Sequence, residues 1–204
     1  MNVSINYKKA LIKKKTTNLI LFVDEKFNIS GLKKFISSSE YTFVSDLLSG
    51  RDLKKNIAIF DISSKRKIIL VSLKKDFTTS DIENLGAKFF DLIKEFHKKE
   101  YTINSDSIIN KFKNSLGYFL HGLKLKSYTF DKYKTKKNKK KIVINVIGKN
   151  KPLTHEQNKF MSIEEGTFYT RNLVSEPGNV LHPDEYAKRL NALRKIGLKV
   201  KIYD

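Results

Sequence analysis

The apolar residues of this chain occur in short, nearly continuous runs that are rich in isoleucine, leucine and valine. Runs of this length and β-branched content favour buried strands. A segment at the amino terminus instead alternates apolar and polar residues, which is typical of an outer strand. The predicted strands are Asn2–Tyr7, Leu19–Val23, Asn56–Ile62, Lys67–Leu73 and Lys141–Gly148.

Between these runs, apolar residues recur every three or four positions, which predicts helices. The best defined helix spans residues 79–99, where Ser80 and Glu83 have the spacing of a capping box and lysines near the end suit the helix dipole. A second helix is predicted over residues 106–120, and shorter ones over 30–38 and 41–49. Solid apolar strands separated by helices indicate a mostly parallel sheet flanked by helices. Residues 1–150 are therefore predicted to form one α/β domain.

A different pattern begins after residue 150. Residues 151–176 predict a linker helix, opened by Thr154 and Gln157 at capping-box spacing and ended by Pro177-Gly178. Its predicted buried stripe consists of Phe160, Ile163, Thr167, Thr170 and Val174.

The last part of the chain, residues 177–204, predicts one helix and one strand. The helix begins at Pro183, since a proline lacks an N–H that the first helical position does not use, and Gly197 suits its end. Residues Leu198–Tyr203 then alternate apolar and polar side chains, as a strand does. We interpret this segment as the truncated start of a second α/β domain.

Charge is the strongest bulk signal, because the formal net charge is +20 and only five of the 41 basic residues are arginine. Arginine is the residue that binds phosphate and base edges bidentately, so the lysine excess favours compositional drift over nucleic-acid recognition. The segment Lys132–Lys141 carries seven lysines beside three aromatic residues. A solvated loop is the favoured interpretation, and a nucleic-acid patch with stacking aromatic residues is the alternative. If the charge is mainly drift, nucleic-acid binding should be weak and non-specific. The candidate nucleic-acid-binding residues are Lys136, Lys137, Lys139 and Lys140.

The remaining sequence features exclude kinds of site or segment rather than identify one. The chain has no cysteine, so disulfides and thiolate metal sites are excluded. His155-Glu156 begins like a His-Glu-x-x-His zinc motif, but Lys159 stands where the second histidine is needed. The early apolar run Leu19–Val23 is far shorter than the roughly 20 residues of a membrane span, and no signal-peptide core precedes it. We expect a cytoplasmic protein with no membrane partner.

Two segments carry a family pattern. Arg171–Leu190 reads RNLVSEPGNVLHPDEYAKRL, and Leu123–Lys137 reads LKLKSYTFDKYKTKK. Both resemble the leucyl aminopeptidase family, the cytosolic two-metal aminopeptidases, at the entry to the catalytic domain and before the last strand of the N-terminal domain. Gly178 replaces a proline usual in the family, and His182 replaces a small hydroxyl cap. Both departures concern backbone shape, so the assignment stands.

The resemblance implies a macro-domain-like N-terminal domain followed by a catalytic domain. The complete enzyme would hold two divalent metals, zinc or manganese, remove N-terminal amino acids from peptides, and form a homo-hexamer. In the family all metal ligands lie downstream of Arg171–Leu190. We therefore expect this chain to be an N-terminal fragment that binds no metal, is inactive alone and serves assembly or regulation. The rival hypothesis is a stand-alone basic nucleic-acid-binding module.

Overall fold

A computed structural model describes residues 2–8, 18–50, 55–96, 99–108, 115–136 and 141–203. The chain divides into two compact units, Met1–Met161 and Ser162–Asp204. The first contains a six-stranded sheet in the order β1-β6-β5-β2-β4-β3. Its strands are β1 (Asn2–Tyr7), β2 (Asn18–Asp24), β3 (Ile57–Ser63), β4 (Arg66–Leu73), β5 (Glu100–Asn104) and β6 (Lys141–Ile147).

The sheet is mostly parallel, as the apolar runs predicted. The edge strand β3 pairs antiparallel with β4, while all other neighbours pair in parallel. Helices flank it, so the predicted α/β fold class is confirmed.

Two apolar clusters lie on opposite faces of this sheet. On one face, α2 (Thr79–Ile93) and α3 (Ser115–Lys126) cover the sheet, with the Phe119 ring 5.4 Å from that of Phe22 in an edge-to-face contact. On the other face, α1 (Ser38–Ser49) and the 3-10 turn Ser30–Lys34 pack on the sheet. Alternate residues of β2 enter the two clusters, which is why that strand is apolar throughout.

Helices α2 and α3 cross with their backbones in contact. A Cβ added to Gly86 would lie 2.0 Å from the carbonyl oxygen of Phe119, and one added to Gly122 would lie 1.9 Å from that of Glu83. The two glycines thus allow an approach that any side chain would prevent.

Within the sheet, one strand was missed and another was predicted too long. β5 was not predicted, because its short sequence EYTIN contains only one aliphatic residue, although Tyr101 and Ile103 are fully buried. The predicted end of β6 is one residue too long, since Gly148 has a φ of 101° and turns the chain out of the sheet.

The helix boundaries also differ from prediction. The capping box of α2 is Thr78 and Asp81 rather than Ser80 and Glu83, and the helix ends at Ile93 instead of Lys99. The predicted helix 106–120 is wrong at its start, since Asn104 caps a 3-10 turn over Ser105–Ser107. Residues 109–114 lie outside the described residues, and α3 continues to Lys126 because Leu123 extends its buried face.

Helix α4 (Thr154–Val174) matches the predicted linker helix, but its start and its buried side differ. Glu156, not Gln157, accepts the cap hydrogen bond, from the backbone N–H of Leu153 at 2.8 Å. The predicted stripe beyond Phe160 is largely uncovered, with Ile163 at 43% and Val174 at 80% exposure. The buried side chains of α4 are instead Glu164 and Leu173.

The second unit also contains α5 (Pro183–Asn191), followed by the 3-10 turn Ala192–Ile196. Pro183 opens α5, as predicted. The helix ends at Asn191, however, and Gly197, with a φ of 91°, ends the 3-10 turn instead of the helix. The strand predicted over Leu198–Tyr203 is wrong, because the described residues offer that segment no neighbouring strand. No helix in the described part of the chain is long and apolar enough to cross a membrane.

Candidate functional site

The carboxyl end of the sheet, between β2 and β5, has the topology of a ligand site. These strands are parallel neighbours, but the chain leaves β2 towards α1 on one face and β5 towards α3 on the other. In open α/β sheets, ligands bind in the crevice that such a divergence creates.

In this chain the crevice is filled by the 3-10 turn that comes after β5. The Ser107 hydroxyl accepts a hydrogen bond from the Phe22 N–H at 2.9 Å and donates one to the Asn104 carbonyl at 2.6 Å. Ser107 is buried, and its hydroxyl lies where the pairing between β2 and β5 ends. A ligand phosphate that needed the Phe22 N–H would first have to displace this turn.

The adjacent carboxylate, Asp106, also has a local role. One of its oxygens accepts hydrogen bonds from the backbone N–H groups of Lys149 (2.7 Å) and Asn150 (3.1 Å), just after β6. This contact fixes the turn at Gly148, whose missing side chain leaves room for Ser105 and Asp106. Asp106 therefore holds the ends of β5 and β6 together.

The described residues do not fit a metal centre. No cluster of three or more histidine and acidic side chains occurs among them. His121 is buried on α3, whereas His155 and His182 are exposed, and His97 lies outside the described residues. Glu156 caps the start of α4, so its carboxylate has a structural role there. No catalytic step through a metal can be derived from these residues.

The proposed lysine site is only partly described. Lys136 is exposed, while Lys137, Lys139 and Lys140 lie outside the described residues. In the same loop Tyr133 is 53% exposed, with the Lys132 ammonium 5.4 Å from its ring centroid and the Phe130 ring 5.8 Å away. The loop thus presents an aromatic surface beside positive charge. Proteins bind single-stranded nucleic acids with this combination, because the bases stack on the aromatic rings.

Other lysines have structural partners. The Lys124 ammonium donates to the Val3 carbonyl, and that of Lys151 donates to the Lys8 carbonyl at 2.9 Å. Asp91 pairs with Lys94 at 2.8 Å, and the Lys94 ammonium holds the pKa of the Asp91 carboxyl below its usual value. These lysines bind backbone carbonyls or a carboxylate of their own chain, so part of the positive charge serves the fold.

The segment Arg171–Leu190 forms an elbow between α4 and α5. The Pro177 carbonyl accepts hydrogen bonds from the N–H groups of Val180 and Leu181, both at 2.9 Å. The Arg189 guanidinium bridges Glu176 at 3.2 Å and Glu185 at 2.9 Å, and the Glu176 side chain is only 3% exposed. The Tyr169 hydroxyl donates to the Arg189 carbonyl at 3.0 Å.

The charged side chains of the elbow pair with one another and do not form a catalytic group. Hydrogen bonding from Arg189 lowers the pKa of the Glu185 carboxyl, and the two carboxylates raise the pKa of Arg189. These shifts favour the charged forms of all partners, which stabilises an ion pair rather than preparing an acid or a base. The residues that give the strongest sequence pattern are thus residues that shape the backbone.

The fold and these contacts define a mostly parallel α/β domain joined to a helical elbow, with no catalytic constellation among the described residues. Proteins similar in sequence to this chain include cytosol aminopeptidases. The chain is 37% identical to a probable cytosol aminopeptidase of Bradyrhizobium over 92 residues, which cover 41% of this chain and 18% of that protein. It is 29% identical to one from Wolbachia pipientis over 152 residues, which cover 70% of this chain and 29% of that protein. No family model matches the sequence.

Solved structures agree in fold. Tomato leucine aminopeptidase matches 96% of this chain with a TM-score of 0.67 at 15% identity, over 42% of its own length. Cytosol aminopeptidase from Coxiella burnetii matches 93% with a TM-score of 0.59 at 16% identity, over 37% of its length. The resemblance to the leucyl aminopeptidase family is confirmed: the chain is related in sequence to cytosol aminopeptidases and shares their fold. It spans less than a third of the length of the curated relatives it matches.

Proposed function

We propose that this chain is the N-terminal part of a metal-dependent leucyl aminopeptidase that removes amino acids from the free N-termini of peptides in the cytoplasm. The observation that carries the proposal is its similarity to cytosol aminopeptidases over only a fraction of their length. The described residues supply a folded domain and an elbow, but no metal-binding cluster.

The role of this part is assembly and regulation of the enzyme, which by family resemblance is a hexamer. Two features support a structural role for the first unit. The crevice between β2 and β5 is filled by Ser107, and Asp106 is engaged by the backbone after β6. In the second unit, large apolar side chains are exposed, as expected of a surface that packs against further polypeptide. They are Val174, Ile196, Leu198 and Tyr203.

The two divalent metals, zinc or manganese, would be held by residues other than those described. A solved neighbour with a TM-score of 0.61, the bottromycin maturation enzyme BotP, is described in complex with Mn. When bound, such a metal pair activates water for attack on a peptide carbonyl. The described residues contribute by placing the elbow, through the Arg189 ion pairs, and include no metal-binding cluster.

The direct test is an activity assay on the purified chain. It is incubated with an amino-acid anilide and Mn²⁺ or Zn²⁺, beside a complete cytosol aminopeptidase as positive control. We expect no metal-dependent turnover from this chain, because no donor cluster is available among its described residues. Turnover comparable to the complete enzyme would overturn the proposal.

A second candidate function is binding of nucleic acid by a stand-alone basic module. The exposed Tyr133 and Lys136 favour it, because they combine a stacking surface with positive charge. The use of Lys124, Lys151 and Lys94 within the fold weighs against a dedicated polyanion site.

A further inference from the structure

Within the first unit, a small apolar contact holds the start of α4 against α3. From Thr154 to Met161, the only apolar side chain that is not exposed is Phe160. Its neighbour Met161 is 52% exposed, and Leu153 just before the helix is 63% exposed. The partly buried polar residues, Glu156 and Gln157, make local hydrogen bonds to the backbone of Leu153 and Pro152.

Phe160 occupies a socket on α3 formed by Gly117, Tyr118 and His121. Its ring stands edge-on to Tyr118, with centroids 5.2 Å apart, and lies tilted over His121 at 5.1 Å. A Cβ on Gly117 would lie 2.5 Å from the Phe160 ring, so the ring rests directly on the backbone of α3. Because the glycine provides the floor of the socket, the fit depends on the absence of a side chain there.

The socket lies at the margin of the core of the first unit, since Tyr118, one of its walls, packs against that core. Leu116, Phe119 and Leu123, on the same helix, pack inward against the sheet and α2, whereas Phe160 is not a member of that cluster. Loss of the Phe160 contact would therefore leave the sheet and the α2–α3 pair intact. Segments with few buried apolar contacts open at low free energy and can do so independently of the core.

We propose that the Phe160 socket is a release point. At this socket the first two turns of α4 bind to α3 and detach from it together, while the rest of the domain stays folded. The next residue after Met161 begins the second compact unit. If the chain is the N-terminal part of an aminopeptidase, as proposed above, this joint is where the domain can uncouple from the remainder of the enzyme. The joint is a property of this chain alone, so its failure would leave the proposed function untouched.

The test is amide hydrogen exchange in the full chain, read at the hydrogen-bonded amides of residues 157–161. In Phe160→Ala we expect exchange at these amides to accelerate about tenfold or more, with α2 and α3 unchanged. The direction of the change in exchange rate distinguishes a docked helix from an undocked one. If α4 were undocked, alanine would slow exchange, because it is the better helix former. Met161→Ala is the matched control, since it removes an exposed apolar side chain one position away and should not accelerate exchange.

Gly117→Ala probes the same contact from the opposite side. The new methyl group would displace the Phe160 ring while improving the helix propensity of α3. We expect faster exchange at residues 157–161 together with equal or slower exchange in α3. Unchanged exchange at residues 157–161 in both variants would overturn the proposal, and so would a parallel acceleration throughout α2 and α3.

Discussion

Replacing Gly86 with alanine should destabilise the first unit by forcing α2 and α3 apart. The new Cβ would lie 2.0 Å from the Phe119 carbonyl oxygen and 3.0 Å from the Leu123 nitrogen. Carbon and carbonyl oxygen normally approach to about 3.3 Å, so the helices must separate by roughly 1.3 Å at this point. Both obstacles are backbone atoms, and no rotamer change can relieve them.

The magnitude follows from two opposing effects. Overpacking of a core costs about 1–3 kcal/mol, and the rigid backbone contact at Gly86 places this case near the upper limit. Alanine regains about 1 kcal/mol of helix propensity. The net loss in the free energy of unfolding is therefore about 2 kcal/mol, which lowers the melting temperature by about 4–8 °C for a domain of this size.

Urea unfolding followed by far-UV circular dichroism measures this loss. Gly31→Ala is the control, because a Cβ at Gly31 meets nothing within 4 Å, and it should be neutral or slightly stabilising. The double variant Gly86→Ala, Gly122→Ala should lose less than the sum of the single variants, since one separation of the helices accommodates both methyl groups. A Gly86→Ala protein as stable as the wild type would refute the close crossing.

Three further predictions concern the sheet, the elbow and the lysines. Asp106→Ala should cost about 1.5–3 kcal/mol in the free energy of unfolding, because two backbone N–H groups after β6 lose a charged acceptor, and a melt equal to that of the wild type would contradict this. The pKa of Glu185 is held below its usual 4.5 by Arg189, so the ion pair stabilises the elbow above that pH and is lost as the pH falls through the lowered value. The protection factor of the α5 amides, in which the pH dependence of the intrinsic exchange rate is divided out, should therefore fall below about pH 4.5 by this pathway. Arg189→Met should remove that fall, and its retention would show that another group causes it. Binding to unrelated DNA and RNA duplexes should be weak and steeply salt-dependent, and changing four lysines to glutamine should reduce it equally for every sequence. Tight binding to one sequence that is abolished by these changes would instead establish a dedicated site. Those lysines are Lys136, Lys137, Lys139 and Lys140.

The sheet was predictable where strands are uniformly apolar. β2 and β4 lie between two apolar clusters, so both of their faces carry aliphatic residues and the run is visible in the sequence. β5 also lies inside the sheet, but Thr102 and Asn104 place polar groups on one of its faces. Its burial depends on neighbours distant in the chain, and a window of five residues does not contain them.

The linker helix shows a second limit. The spacing of Phe160, Ile163 and Val174 correctly indicated a helix, but periodicity does not identify which face is covered. Only Phe160 of these three lies in a socket, and that socket depends on Gly117 in another helix. The covered side chain Glu164 is polar and carries no periodic apolar signal.

The candidate site was predictable only in outline. The family pattern correctly indicated a relationship to cytosol aminopeptidases. The filling of the crevice by Ser107 was not predictable, since it joins residues 85 positions apart. No local signal distinguishes Ser107 from any other serine near the end of a strand.

A chimera tests whether this chain is the N-terminal part of a leucyl aminopeptidase. Residues 1–176 replace the corresponding N-terminal region of the Coxiella cytosol aminopeptidase, and the product is assayed for mass in solution and Mn²⁺-dependent hydrolysis of an amino-acid anilide. We expect a hexamer that hydrolyses the anilide, while the same enzyme lacking any N-terminal domain assembles poorly. A chimera that is folded by circular dichroism but remains monomeric and inactive would contradict it.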